Sequence, residues 1–174
     1  GVEVIGNNAF GQNNIGTKVT LPSTLLQIKN SAFMNWTKGV ELIIPSAEEI
    51  GNNAFFYWGN DLGSVSDQGE LVGEQSPFIL NLPENLEIVD NGAFMFSRFK
   101  ELVLDGIAIN TLRENCFGWC TAEKITVNGL IQNTDQSFRF MGLCESIDLG
   151  SEGIRVIGNS TFQAIKKVTD LHIP

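Results

Sequence analysis

The phrase Ile50-Gly51-Asn52-Asn53-Ala54-Phe55 occurs letter for letter at Ile5 to Phe10. Ile28 to Phe33, Val89 to Phe94 and Ile157 to Phe162 are near copies; Leu112 to Phe117 and Asn133 to Phe138 are degraded ones. The closing Phe residues stand at 10, 33, 55, 94, 117, 138 and 162, so successive steps are 23, 22, 39, 23, 21 and 24 residues. A nearly constant period with one long step marks a coil of stacked turns, because each unit must bury its apolar side against the next copy. A second marker keeps the same beat: Leu21, Ile44, Leu82, Leu104, Val127, Leu149 and Ile173. Both markers carry the long step, which places about 16 extra residues after Phe55 and before Leu82.

One unit shows how the residues build a turn. Val40 to Ile44 reads as a short strand with Leu42 and Ile44 on one side and Ile43 on the other, ended by Pro45, which has no N–H for a ladder. The inward pairs recur as Val19/Leu21, Leu80/Leu82, Leu102/Leu104, Ile125/Val127, Ile147/Leu149 and Leu171/Ile173. Strands in register at about 4.8 Å per turn would form one parallel sheet. The Phe rings would then form a column at offset-stacking distance. Asn7, Asn30, Asn52, Asn91 and Asn159 share one position, with Glu114 and Asp135 in the degraded turns. They read as acceptors capping a short helical turn; a ladder of ligand-binding amides is the alternative. Asn133 sits where an aliphatic belongs, so the sixth turn is expected to be thinner or locally irregular.

Charge and motifs exclude several functions. The formal net charge of −9 opposes binding to a nucleic-acid backbone. No apolar run approaches the roughly 18 residues that a membrane span requires. Cys116, Cys120 and Cys144 form no C-x-x-C and read as buried thiols. The only histidine, His172, lies far from them along the chain, so neither a metal site nor any other cofactor is implied. It also has no G-x-S-x-G partner, and no phosphate-binding glycine loop or H-E-x-x-H is present, so no enzyme is expected.

The repeated phrase resembles the BspA-like leucine-rich repeats, whose turns read approximately I-P-x-x-V-x-x-I-G-x-x-A-F-x-x-C-x-x-L. The resemblance runs over essentially the whole chain. It implies an α/β or mostly β fold: a right-handed leucine-rich-repeat solenoid of about seven turns, with one parallel sheet, short strands and short helical turns. Residues 1–174 would be a single solenoid, a fragment of a longer protein, with an insertion loop at about 59–77. The resemblance also implies a bacterial, sometimes protist, cell-surface or secreted protein that adheres to a host or matrix protein without catalysis; its charge and apolar content predict contact with neither nucleic acid nor the membrane interior, and a monomer is expected. No functional residue carries over, because the shared positions are structural. The family Cys, three residues after Phe, survives here only as Cys120; Trp36 and Trp58 replace it in two turns.

Three places could carry function. The outward face of the sheet is the first, with Glu41, Ile43, Ile79, Asn81, Glu101, Val103, Lys124 and Thr126 as partner-binding residues. Ile43, Ile79 and Val103 would make an apolar patch there. The second is an aromatic cluster, Phe56, Tyr57 and Trp58 with Trp36 one turn earlier, of which Trp36, Tyr57 and Trp58 would make a sugar-stacking platform unless the cluster is ordinary packing. The third is the Gly- and Ser-rich insertion with Asp61, Asp67, Glu70 and Glu74, a binding loop or a tolerated insertion, although the EF-hand spacing is absent. A purely structural spacer remains the third functional reading.

Overall fold

The computed structural model describes residues 1–13, 16–65, 71–73, 78–105, 111–132, 134–151 and 154–174. In chain order the strands are β1 (Val4–Ile5), β2 (Lys18–Thr20), β3 (Gln27–Ile28), β4 (Glu41–Ile43), β5 (Glu49–Ile50), β6 (Gly63–Val65), β7 (Leu71–Gly73), β8 (Ile79–Asn81), β9 (Ile88–Val89), β10 (Glu101–Leu104), β11 (Thr111–Leu112), β12 (Lys124–Val127), β13 (Ser146–Asp148) and β14 (Asp170–His172).

Most turns contribute two strands, so the coil has two parallel sheets where the sequence suggested one; beyond β12 the described residues add only the front strands β13 and β14. The front sheet runs β8-β10-β12-β13-β14, with β2-β4 as a separate pair beyond β8. The second sheet runs β1-β3-β5-β9-β11. Its strands are two residues long, too short to display a period of two in the sequence. Register follows the repeat. Leu80, Leu102, Ile125, Ile147 and Leu171 face one another across the front sheet, and Ile5, Ile28, Ile50, Val89 and Leu112 across the second.

The Phe residues form the expected column. Neighbouring rings from Phe10 to Phe162 lie 5.1–5.4 Å apart with planes within 12° of parallel. Phe55, Phe94, Phe117 and Phe138 are fully buried, whereas Phe10, on an outermost turn, is 42% exposed. Seven rings bound six complete turns, so about six turns replaces the expected seven. The core is one continuous cluster of both sheets' inward residues and this column.

Helix is nearly absent, which corrects the expectation of helical turns. The only helix among the described residues is a 3-10 turn at Asn60–Leu62. The rest of each turn is cut short by two left-handed residues, two before and two after the column Phe. Around Phe117 these are Asn115 (φ 56°) and Trp119 (φ 54°). A left-handed residue reverses the winding a helix needs. The repeated Asn therefore does not cap its own turn. Asn7 Oδ1 accepts the N–H of Asn30 at 3.1 Å, and Asn30 Oδ1 accepts that of Asn52 at 3.1 Å. Asp135 Oδ1 does the same for Asn159. These bonds tie one turn to the next.

Asn133 lies outside the described residues. Beside it, Ile131 is buried and bridges Ile154, while hydroxyls fill space that aliphatics hold elsewhere. Thr161 Oγ1 donates to the carbonyl of Thr134 at 2.7 Å, and Ser137 Oγ to that of Leu112 at 3.2 Å. The three cysteines are buried free thiols. Burial pushes all three thiols up, Cys144 to about 12.

Candidate functional site

The outward face of the front sheet is ruled into two rows by strand register. Ile79, Glu101, Lys124, Ser146 and Asp170 share one row; Asn81, Val103, Thr126, Asp148 and His172 share the other. On the separate pair, Lys18 faces Glu41 and Thr20 faces Ile43. Polar groups pair across strands: Lys18 Nζ meets Glu41 Oε1 at 2.8 Å, and His172 Nδ1 meets Asp148 Oδ1 at 2.9 Å. The hydrogen bond to His172, helped by the Gly150 N–H, holds the Asp148 carboxyl below its usual value. Such exposed pairs add little stability.

Between β4 and β8 the front sheet opens. The strands are neighbours, yet no ladder joins them. A cleft of about 550 Å³ lies there, lined by Glu41, Leu42, Ile43, Ile44, Pro45, Phe78, Ile79 and Asn81. Ile43 (39% exposed) and Ile79 (43% exposed) come from the two strands that bound it. The sequence explains the opening. The extra residues enter immediately before β8, so they displace the front strand but not the second sheet. Ile50 still pairs with Val89 across the insertion, and Phe55 stacks on Phe94 at 5.1 Å. Among the described residues no ladder joins these two parallel edges, an arrangement that suits an extended polypeptide.

Of the eight face residues expected from sequence, Glu41, Ile43, Ile79 and Asn81 line this cleft, while Glu101, Val103, Lys124 and Thr126 continue the face away from it, half-buried. Val103 is one strand beyond the cleft, so the apolar patch is a pair of isoleucines with a half-buried neighbour.

The aromatic cluster needs correction. Trp58 is fully buried and Trp36 is 5% exposed. Their rings lie 5.8 Å apart and pack edge-on or tilted against Phe55 and Phe33. Trp36 Nε1 donates to the Gly16 carbonyl at 2.6 Å. Gly39 is required there, since a methyl group on its Cα would overlap the Trp58 ring. Both indoles are core residues, so they cannot stack on a sugar. Phe56 and Tyr57 of that cluster are half-buried and meet edge-on at 4.5 Å, and Tyr57 is joined by three further rings. Tyr57, Phe96, Trp119 and Phe140 form a second, half-buried column, stacked face to face with centroids 5.0, 5.5 and 4.7 Å apart. The signal was present in the sequence, because all four stand two residues after a column Phe.

The described part of the insertion is the 3-10 turn and an antiparallel hairpin of β6 and β7. Asp67, Glu70 and Glu74 lie outside the described residues. Asn60 Oδ1 accepts a hydrogen bond from Nε of Arg98 at 3.1 Å. Arg98 is 3% exposed, and burial lowers its affinity for the proton.

A model of the BspA type leucine-rich repeat region matches the chain in six copies, over residues 1–66 and 78–174. The unmatched residues fall within the insertion. No curated protein and no solved structure matches the chain.

Proposed function

We propose that this chain, which belongs to the BspA-type leucine-rich repeat family, is a non-catalytic protein-binding module that works through the outward face of its front sheet. The observation that carries the reading is the cleft where β4 and β8 part. Half of the face residues singled out from sequence gather there, around two exposed isoleucines and the Glu41 carboxylate. An extended segment of a host or matrix protein would lay apolar side chains against Ile43 and Ile79. Its backbone would meet the unjoined strand edges. The module would serve adhesion on a bacterial surface or in the secreted space, as the family implies.

The test is a binding screen of the purified chain, as a monomer, against immobilised extracellular-matrix proteins. The comparison variant combines Glu41→Lys and Glu101→Lys with Ile43→Asp. Binding lost with an unchanged circular dichroism spectrum and melting temperature is the expected result. Binding that survives all three changes rejects this face. Failure of every matrix protein to bind saturably favours a structural spacer instead.

A further inference from the structure

We propose that the two end faces of this coil are the halves of one interface, so that copies of the chain stack head to tail and continue the solenoid. Every junction between turns inside the coil is made by the same bonds. Around the column Phe, three N–H groups of one turn donate to three carbonyls of the next. At the first junction these run from Asn8 to Asn30, Phe10 to Ala32 and Gln12 to Met34, at 3.0, 2.8 and 2.7 Å. The last junction repeats them, from Gln136 to Asn159, Phe138 to Thr161 and Phe140 to Gln163. The two end faces therefore differ in kind. The first turn presents the carbonyls of Asn7, Ala9 and Gly11, and the last presents the N–H groups of Ser160, Phe162 and Ala164. Among the described residues none of these six groups has a backbone partner. The asparagine link is divided in the same way: the Asn7 N–H is left over at one end and Asn159 Oδ1 at the other. A two-fold pairing would set carbonyl against carbonyl or N–H against N–H and leave them all unsatisfied. Only the last turn of one copy against the first turn of another satisfies both.

Apolar surface is divided with the polar groups. Val2, Val4 and Phe10 are exposed at one end, and Ile157, Leu171 and Ile173 at the other. Inside the coil the same positions are covered: Leu42 is 3% exposed where Leu171 is 55%. What covers them there is a turn of this same chain. Ile5 to Phe10 repeats Ile50 to Phe55 letter for letter, and Phe55 receives Phe33 on the corresponding side, 5.2 Å away and 3° from parallel. The outer face of Phe10 thus matches the Phe162 of a second copy. Charge agrees. Lys18 and Asp170 stand at the same position of the repeat, at opposite ends of the coil. Stacking sets them side by side, and Lys18 has donors to spare beyond its bond with Glu41. A contact of this kind is heterologous and does not close on itself, so it builds filaments rather than dimers. The front-face cleft lies on the side of the coil and stays open in the stack. The expected monomer is the dilute form.

The experiment is sedimentation velocity of this chain over a rising concentration series. The mass should grow with concentration and not stop at two copies. Phe10→Asp blocks the first face and Leu171→Asp the last, so each variant alone should stay a monomer. Mixed in equal amounts they should form a dimer of one copy each, because each supplies the face that the other lacks. Circular dichroism confirms that both are folded; should either aspartate unfold its chain, Val4→Lys and Ile173→Lys, at two further exposed end residues, replace the pair. Ile43→Asp in the cleft should leave stacking unchanged, so this interface and the protein-binding face fail separately. The proposal is overturned by a chain that stays single at every concentration, by either blocked variant associating with itself, or by a mixture that yields no dimer.

Discussion

Replacing Phe94 with Ala tests the stacked column directly. Phe94 is fully buried. It lies 5.1 Å from Phe55 and 5.3 Å from Phe117, with planes 9° and 8° from parallel, and meets Phe99 edge-on at 6.3 Å. Removing a buried ring forfeits about 1.5–3 kcal/mol of transfer free energy. Each of its two parallel neighbours loses a further contact of about 0.5–1.5 kcal/mol. Together these bracket the about 3–5 kcal/mol typical of Phe→Ala in a packed core. Phe10 provides the internal contrast. It is 42% exposed and stacks on one ring, Phe33, so Phe10→Ala should cost only about 1.5–3 kcal/mol by the same reasoning. Urea unfolding followed by circular dichroism and by the buried indoles of Trp36 and Trp58 measures both. At about 2–4 °C per kcal/mol for a chain of this size, Phe94→Ala should lower the melting temperature by about 10 °C. A loss below about 1 kcal/mol at Phe94, or equal losses at the two sites, refutes the column as the interior of the coil.

Other outcomes follow from the same contacts. Cys116, Cys120 and Cys144 should resist a thiol reagent in the folded chain and all react in denaturant, since each is buried and pushed up by burial; rapid native labelling would contradict this. A thiol raised from 9.0 to about 12 favours folding fully below 9.0 and loses that contribution as pH rises through this window, so Cys144→Ala should soften the alkaline fall in melting temperature. Asp148 is shifted the other way: its contribution holds above the ordinary carboxylate value and fades as pH falls through the lowered one, and His172→Gln should raise the Asp148 value measured by NMR. Deleting residues 60–75 should preserve one cooperative transition, losing about 1.5–3 kcal/mol for the Arg98–Asn60 bond, because β5 and β9 pair across the insertion; collapse of the transition would show that the insert holds the coil together.

Much of this architecture was legible because the determinants recur at a fixed step. Phe, the inward aliphatic pairs and the place of the insertion all follow from spacing, and spacing is what stacking reads. What escaped depends on contacts between turns, or on elements too short to show a pattern. Two-residue strands such as β3 and β5 carry no alternation, so the second sheet read as a mere bend. The Asn side chains looked like local caps because their true partners, such as Asn30 for Asn7, lie 23 residues away. Trp36 and Trp58 read either as a sugar platform or as ordinary packing, and packing is what they do: the position three after Phe is buried in other turns too, at Ser97, Cys120 and Met141.

The insertion also shows why the cleft and the rest of the coil need not share a fate. A coil of turns transmits force through whichever strand is continuous. At the long step the second sheet and the Phe column run through unbroken, while the front sheet parts between β4 and β8. The step from Tyr57 to Phe96 crosses the same insertion, and the rings stack at 5.0 Å all the same. The second aromatic column thus belongs to the continuous side of the coil and the cleft to the interrupted side. A ligand that widened the cleft would have to bend the front sheet alone. The ring-to-ring steps of the second column should stay fixed, because the Phe column beneath them keeps the turns in contact.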